Sequence, residues 1–115
     1  MDPITWVILI GGFLTGILFR HFWNEIKYWA TKVLVEILKA INEAIEVASD
    51  AFVYFIQEGN KIYEKMEVYV QNVENPQRIR TEVVKQQVHD ISQIPQEIRE
   101  QLEQKRQLKL MQMKT

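Results

Sequence analysis

Near the start of the chain lies the apolar run Ile4-Thr-Trp-Val-Ile-Leu-Ile-Gly-Gly-Phe-Leu-Thr-Gly-Ile-Leu-Phe19, sixteen residues without a charge. As a helix it would cover roughly 24 Å at about 1.5 Å per residue, slightly less than a hydrocarbon core of about 30 Å. Phe22 and Trp23 lengthen the run if the intervening Arg20 and His21 reach toward the headgroups. The run therefore predicts a transmembrane helix over residues 1–23.

Both ends of this predicted helix carry residues typical of membrane helices. Asp2 is a suitable N-cap, and Pro3 then occupies the first helical position, where a missing N–H costs nothing. Aromatic residues near both ends fit the two interfacial belts of a bilayer. The residues predicted to lie at the membrane interface are Trp6, Arg20, Trp23 and Trp29.

A cleaved signal peptide and a buried core helix are the alternatives for the same run. A signal peptide normally begins with a basic region, whereas this chain begins Met-Asp-Pro, and bulky residues stand where a cleavage site would be. A run of this length also fits a buried helix. Because lysines and Arg20 follow the run, the positive-inside rule places the C-terminal body in the cytoplasm and the N-terminus outside the inner (plasma) membrane.

Small residues form two neighbouring stripes along the predicted membrane helix. Gly12 and Gly16 make a GxxxG pair, and Gly11 and Thr15 make a second pair with the same spacing. Small residues let two helix backbones approach closely, which drives association in lipid. We therefore predict that the membrane helices of several copies pack through these four residues.

Residues 24–58 have apolar residues at alternating spacings of four and three. This spacing is typical of the seam of a coiled coil, and it predicts a long amphipathic helix that assembles with copies of itself. The predicted oligomer seam consists of Ala30, Leu34, Ile37, Ile41, Ala44 and Ala48, and the spacing continues through Ala51 and Phe55.

The glycine in Glu58-Gly59-Asn60 predicts the end of that helix. Residues 59–75 then allow two interpretations. A short helix is favoured because the preceding helical pattern runs through Phe55. Alternating apolar residues favour a strand instead, in which case Phe52–Ile56 and Lys61–Val70 pair as a hairpin around the glycine.

After Asn75-Pro76, residues 76–115 predict a polar helical tail with eight basic and five acidic residues, nine glutamines and no glycine. Pro95 divides it, and Ile94, Ile98 and Leu102 begin its second apolar stripe. A helix that is polar nearly all round needs a partner, so the tail predicts recruitment of a cytoplasmic protein. The absence of aromatic residues beyond Tyr69 to stack on bases argues against nucleic-acid binding.

No catalytic motif is present in the sequence. The chain has no cysteine, which excludes disulfides and thiolate chemistry, and its two histidines are far apart. It has no glycine-rich phosphate loop, GxSxG, HExxH or EF-hand pattern. We therefore expect no enzyme, no catalytic or metal-binding residue, no cofactor and no small-molecule substrate.

Together these features predict an all-α, single-pass membrane protein that forms a homo-oligomer. Its parts would be a transmembrane helix (1–23), an amphipathic heptad-like helix (24–58), a short helix or hairpin half (59–75) and the polar tail (76–115). Such an assembly is expected to be a pore-forming or membrane-depolarising effector, as holins, toxins and defence proteins are. The alternative is a membrane-anchored adaptor or accessory subunit whose cytoplasmic helices recruit a protein partner.

Overall fold

A computed structural model describes residues 4–10, 20–88 and 91–114 of the chain. Within these ranges the chain forms five β-strands, two α-helices and one 3-10 turn. In chain order they are β1 (Trp6–Ile8), α1 (Arg20–Ala40), β2 (Glu46–Glu58), β3 (Lys61–Asn72), β4 (Ile79–Gln87), the 3-10 turn (Ile91–Gln93), α2 (Gln96–Lys105) and β5 (Gln107–Met113).

The strands form one antiparallel sheet in the order β1-β5-β2-β3-β4. β5 comes last in the sequence and yet lies inside the sheet, between β1 and β2. Both helices pack on one face of the sheet, since Leu34 of α1 and Ile98 of α2 share a single core with Phe55 of β2 and Met66 of β3. The all-α prediction is therefore wrong: the described chain is an antiparallel sheet with helices on one face.

β2 and β3 form a long hairpin around a two-residue loop. Glu58 pairs with Lys61, and Gly59 has a φ of +60°. A positive φ at the first loop position suits the turns that join antiparallel strands, and glycine adopts it without steric cost. The hairpin alternative for residues 61–70 is thus confirmed, and the short helix over 59–75 is wrong.

The long helix predicted over residues 24–58 is wrong beyond Ala40, where α1 ends. The side-chain oxygen of Asn42 accepts a hydrogen bond from the backbone N–H of Ala44 at 3.1 Å, and its carbonyl accepts one from the N–H of Ile45 at 2.8 Å. This local turn competes with the helix for the backbone. The chain then continues as β2, whose aromatic and β-branched residues favour a strand.

The membrane helix predicted over residues 1–23 is also wrong. Its beginning is strand β1, in which Trp6 pairs with Met113 and Ile8 pairs with Met111 of β5. Within the described ranges, no helix has both the length and the apolar composition needed to cross a bilayer. Trp6 of β1 is instead buried in the core that α1 covers, and Ile8 packs against that core. Four further predictions depended on this membrane helix and are wrong as well: the single-pass topology, the membrane localisation, the pore and the membrane-anchored adaptor.

The polar tail predicted over residues 76–115 is a helix only in part. Its first section is strand β4 and its last section is β5, where Leu108 and Leu110 are buried. The helix that follows Pro95 is confirmed as α2, with Ile98 and Leu102 turned into the core. The sequence suggested that this segment needs a separate partner, but its strands pair with strands from earlier in the same chain.

Candidate functional site

A groove of about 660 Å³ opens between the beginnings of α1 and α2 and the sheet below them. Sites for small molecules typically have volumes of roughly 300–1,000 Å³ and mostly apolar walls with a few polar groups. The apolar walls of this groove come from α1, from β2 and from the segments that follow β4 and precede α2: Phe22, Ile26, Trp29, Phe55, Val88 and Ile94.

Glu64 is the acidic residue on the floor of the groove. It lies on β3 in the row that faces the helices, directly opposite Phe55 of β2. The other β3 residues of that row are apolar and buried, namely Ile62, Met66, Val68 and Val70. The strand therefore places one carboxyl group on the core side of the sheet, and the groove is the space that receives it.

Burial and, to a smaller extent, the nearby carboxylate of Glu25 on α1 together raise the pKa of Glu64 to about 7. Desolvation and a like charge both disfavour the ionised form. Among the described residues, no hydrogen bond or ion pair satisfies this carboxyl group. At neutral pH it is therefore poised between its neutral and charged states.

Arg99 of α2 contributes a positive group to the same groove. Its Nε atom is buried and has no hydrogen-bond partner in the described part of the chain. A buried donor without an acceptor costs about 1–3 kcal/mol. Glu64 and Arg99 do not pair with each other, so both remain available to a bound molecule.

A hydrogen bond between a helix and the sheet crosses the end of the groove. Trp29 donates from Nε1 to the side-chain oxygen of Gln86 on β4 at 2.9 Å. Both residues also line a second cavity of about 410 Å³ between α1 and β4. The Trp29–Gln86 pair therefore marks the boundary between the two cavities.

The groove combines one proton-exchanging acid, one cation and aromatic walls. At its mouth, His21 Nε2 lies 3.6 Å from Glu25 Oε1, and both side chains are exposed. Within residues 4–10, 20–88 and 91–114, no three histidine or acidic side chains converge as metal ligands would. The arrangement is suited to holding a charged molecule with an apolar body.

The residues predicted for a membrane interface lie in different environments. Trp23 is buried in the core, and Trp6 donates from Nε1 to the hydroxyl of Thr31 at 3.0 Å. Arg20 is exposed where α1 begins, and Trp29 lines the groove. The structure thus brings only Trp29 to the candidate site.

The predicted oligomer seam is divided between the core and the surface. Ala30, Leu34 and Ile37 of α1 are buried against the chain's own sheet, as is Ile41 just after it. The coiled-coil interpretation is wrong because the sheet already covers this face. Ala44 is exposed in a turn and Ala48 is half-buried in β2. The predicted membrane-helix packing residues lie outside the described residues: Gly11, Gly12, Thr15 and Gly16.

Sequence reasoning missed Glu25, Glu64 and Arg99 as site residues. A signal for Glu64 was present in the hairpin alternative, because an even-numbered residue of that strand lies on the same face as Met66 and Val68. An acid on an otherwise apolar face of a strand is the pattern that would have indicated it.

The opposite face of the sheet carries aromatic residues beneath lysines. Lys109 Nζ lies 4.2 Å from the centre of the Phe52 ring, and Lys65 Nζ lies 5.0 Å from that of Tyr54. Tyr54 is only 7% exposed. Because its ring is already covered, it offers no free platform for stacking on a base.

Comparisons of the chain with models of known protein families, with curated proteins and with solved structures find no match.

Proposed function

We propose that this chain is a binding domain for a small organic cation with an apolar body, and that it is not an enzyme. The observation that carries the proposal is the carboxyl group of Glu64, which is half-buried in a largely apolar groove beside Glu25 and lacks a partner among the described residues. A ligand ammonium or guanidinium group would supply the opposite charge that this site lacks.

The charges in the groove favour a cation over an anion. In the described part of the chain, two carboxyl groups, Glu25 and Glu64, face one guanidinium group, Arg99, across the same space. A hydrogen bond to a charged group contributes about 1.5–3 kcal/mol. The rings of Phe22 and Trp29 would pack against the ligand's apolar body, and aromatic faces also attract cations. Arg99 would hold an acceptor atom elsewhere on the same ligand.

Binding is favoured over catalysis because Glu64 acts alone. Enzymes commonly set a catalytic acid or base beside a second side chain that orients it through a hydrogen bond. Within the described residues, no side chain makes such a contact with Glu64. Because the pKa of Glu64 is about 7, binding of a cation would instead be coupled to release of one proton from this carboxyl group.

Phenethylamine is a suitable probe, and 2-phenylethanol and 3-phenylpropanoate are its neutral and acidic counterparts. In titration calorimetry at about pH 8, where Glu64 is charged, we expect measurable binding of the amine alone. Glu64→Gln should weaken amine binding at least about tenfold, equivalent to about 1.4 kcal/mol. Glu67→Gln is the matched control, because Glu67 lies on the opposite face and pairs with Lys65 at 2.9 Å.

Amine affinity should also fall as the pH is lowered through about 7, because protonation of Glu64 removes its charge. Among the described residues, the other charged or titratable groups that face the groove are Glu25, His21 and Arg99. Glu64→Gln separates their effect from that of Glu64, since the fall near pH 7 should disappear in the variant. Equal binding of the amine and the alcohol, or equal binding by wild type and variant, would show that the proposal is wrong.

A further inference from the structure

Strand β4 forms one edge of the sheet and is long and regular. It spans nine residues, contains no proline and pairs with β3 without a register shift. Among the described residues, no strand pairs with its outer edge. Exposed edges are usually short, bulged or interrupted by proline, because an unpaired backbone invites another strand. β4 has none of these three protections.

The hydrogen bonds to β3 show which β4 residues are free to pair outward. Arg78 accepts from the N–H of Asn72 at 3.0 Å, and Val88 donates to the carbonyl of Ile62 at 2.9 Å. Hydrogen-bonding direction alternates along an antiparallel strand. The even-numbered residues of β4 therefore bond to β3, and the odd-numbered Ile79, Thr81 and Val83 direct their backbone groups away from the sheet.

We propose that β4 pairs antiparallel with β4 of a second copy, about a two-fold axis that passes through Thr81. In this register Thr81 lies opposite itself. Ile79 lies opposite Val83, and Arg80 lies opposite Glu82, each of them twice. The two copies then form one continuous ten-stranded sheet, twice the five strands of the single chain. Such an interface is self-complementary, as a two-fold axis requires.

The apolar residues of β4 support this register. Ile79 and Val83 are 56% and 54% exposed on the face of the sheet away from the helices. Both would be covered by pairing with each other across the axis. Threonines opposed on neighbouring strands are also a favourable pair.

Charge excludes the neighbouring registers. An axis at Arg80 places two arginines opposite each other, and an axis at Glu82 opposes two glutamates. Like charges directly opposite are destabilising. An axis at Val83 keeps one apolar pair, Val83 opposite itself, but it leaves Arg80 opposite Gln86 and Ile79 opposite Gln87, so the Arg80–Glu82 and Ile79–Val83 pairs are lost.

Arg80 already forms ion pairs within its own chain, and the dimer would extend this network across the interface. Its Nε donates to Glu46 Oε2 at 2.7 Å, and it also pairs with Glu82 of the same strand. The hydrogen bond from Arg80 lowers the pKa of Glu46, so this acid remains charged near neutrality. In the dimer, Arg80 of each copy lies opposite Glu82 of the other copy, so that positive and negative side chains alternate around the axis.

Single-cysteine variants test the register, because the natural chain has no cysteine. In Thr81→Cys the two Cα atoms would lie about 5.5 Å apart, within the range of about 4.4–6.8 Å that a disulfide spans. Mild oxidation should therefore give a covalent dimer. In Val83→Cys the two positions lie about 14 Å apart along the strands, so this matched control should remain uncrosslinked.

Light scattering tests the dimer itself. At roughly 100 μM, well above a micromolar dissociation constant, the mass should be twice 13.7 kDa. Thr81→Pro should be monomeric with an unchanged circular dichroism spectrum, because the lost N–H points outward and edge strands tolerate proline there. A monomeric wild type, a dimer in which Thr81→Cys fails to crosslink, or crosslinking of Val83→Cys in its place would overturn the proposal.

Discussion

Replacing Leu34 by alanine is expected to lower the free energy of unfolding by about 3 to 4 kcal/mol, within the range for fully buried leucines. Leu34 is completely buried where α1 crosses the sheet. Its removal takes apolar atoms out of the core and leaves a cavity beside residues that cannot fully close it. Denaturant unfolding followed by circular dichroism measures the loss.

Tyr28→Ala is the matched control on the same helix, because Tyr28 is 74% exposed. Its effect should remain within about 0.5 kcal/mol. The Leu34 variant also distinguishes the chain's own core from a seam between copies. The difference between wild type and variant should be the same at every protein concentration. A difference that shrinks on dilution, as the loss of an interface between copies would produce, would contradict the placement of Leu34 inside one chain.

Glu64→Gln is expected to raise the free energy of unfolding at about pH 8 by about 2 kcal/mol and to change it little at about pH 4. In the folded chain the pKa of Glu64 is about 7, above its ordinary value of 4.5. Between these two values the folded state binds more protons than the unfolded state. The wild type therefore loses stability as the pH rises through this window, whereas the glutamine variant does not.

The size of this effect follows from the two pKa values. A difference of one in pKa corresponds to about 1.4 kcal/mol, so a rise from 4.5 to about 7 corresponds to about 3 kcal/mol. Water at the open side of the groove screens the carboxylate, which reduces the expected gain to about 2 kcal/mol. Glu67→Gln is again the control, and it should lack the gain at high pH. If the free energy of unfolding varied with pH in the same way in Glu64→Gln and in the wild type, the conclusion that Glu64 has an unpaired carboxyl group would be wrong.

The sequence predicted the helical part of α1 and its buried stripe, but not what the stripe contacts. Ala30, Leu34 and Ile37 recur with the spacing of one helix face. That spacing is the same whether the face packs on a sheet or on another helix. The surface that α1 covers comes from residues far along the chain, which local periodicity does not report.

The strand β2 was misread because its apolar residues fit two periods at once. From Ala51 to Ile56 every residue is apolar, so a subset with helical spacing can always be found. Such runs are assigned by their aromatic and β-branched content and by the turn that follows. Both pointed to the hairpin around Gly59, which stood as the second interpretation.

The apolar run at Ile4–Phe19 shows a different limit. A short hydrophobic segment fits a membrane helix and a buried element of a folded domain equally well by composition. The pairing that makes β1 a strand is with β5, more than a hundred residues later in the chain. β5 itself looked like a polar tail, although Leu108 and Leu110 alternate around a lysine as strand residues do.

The candidate site was beyond prediction for the same reason. Glu25, Glu64 and Arg99 belong to α1, β3 and α2, and no motif links them along the sequence. Their meeting depends on two helices lying side by side on one face of the sheet. Once the hairpin is accepted, only the inward orientation of Glu64 follows from the sequence.

The most direct measurement is a carbon-13 NMR titration of the Glu64 side-chain carboxyl group in the intact chain. We predict a midpoint near pH 7, which burial and Glu25 produce, and a lower midpoint when phenethylamine occupies the groove. A midpoint near 4.5, unchanged by the amine, would mean that the carboxyl group is solvated or already paired, and the groove would then lose its role as a binding site for cations.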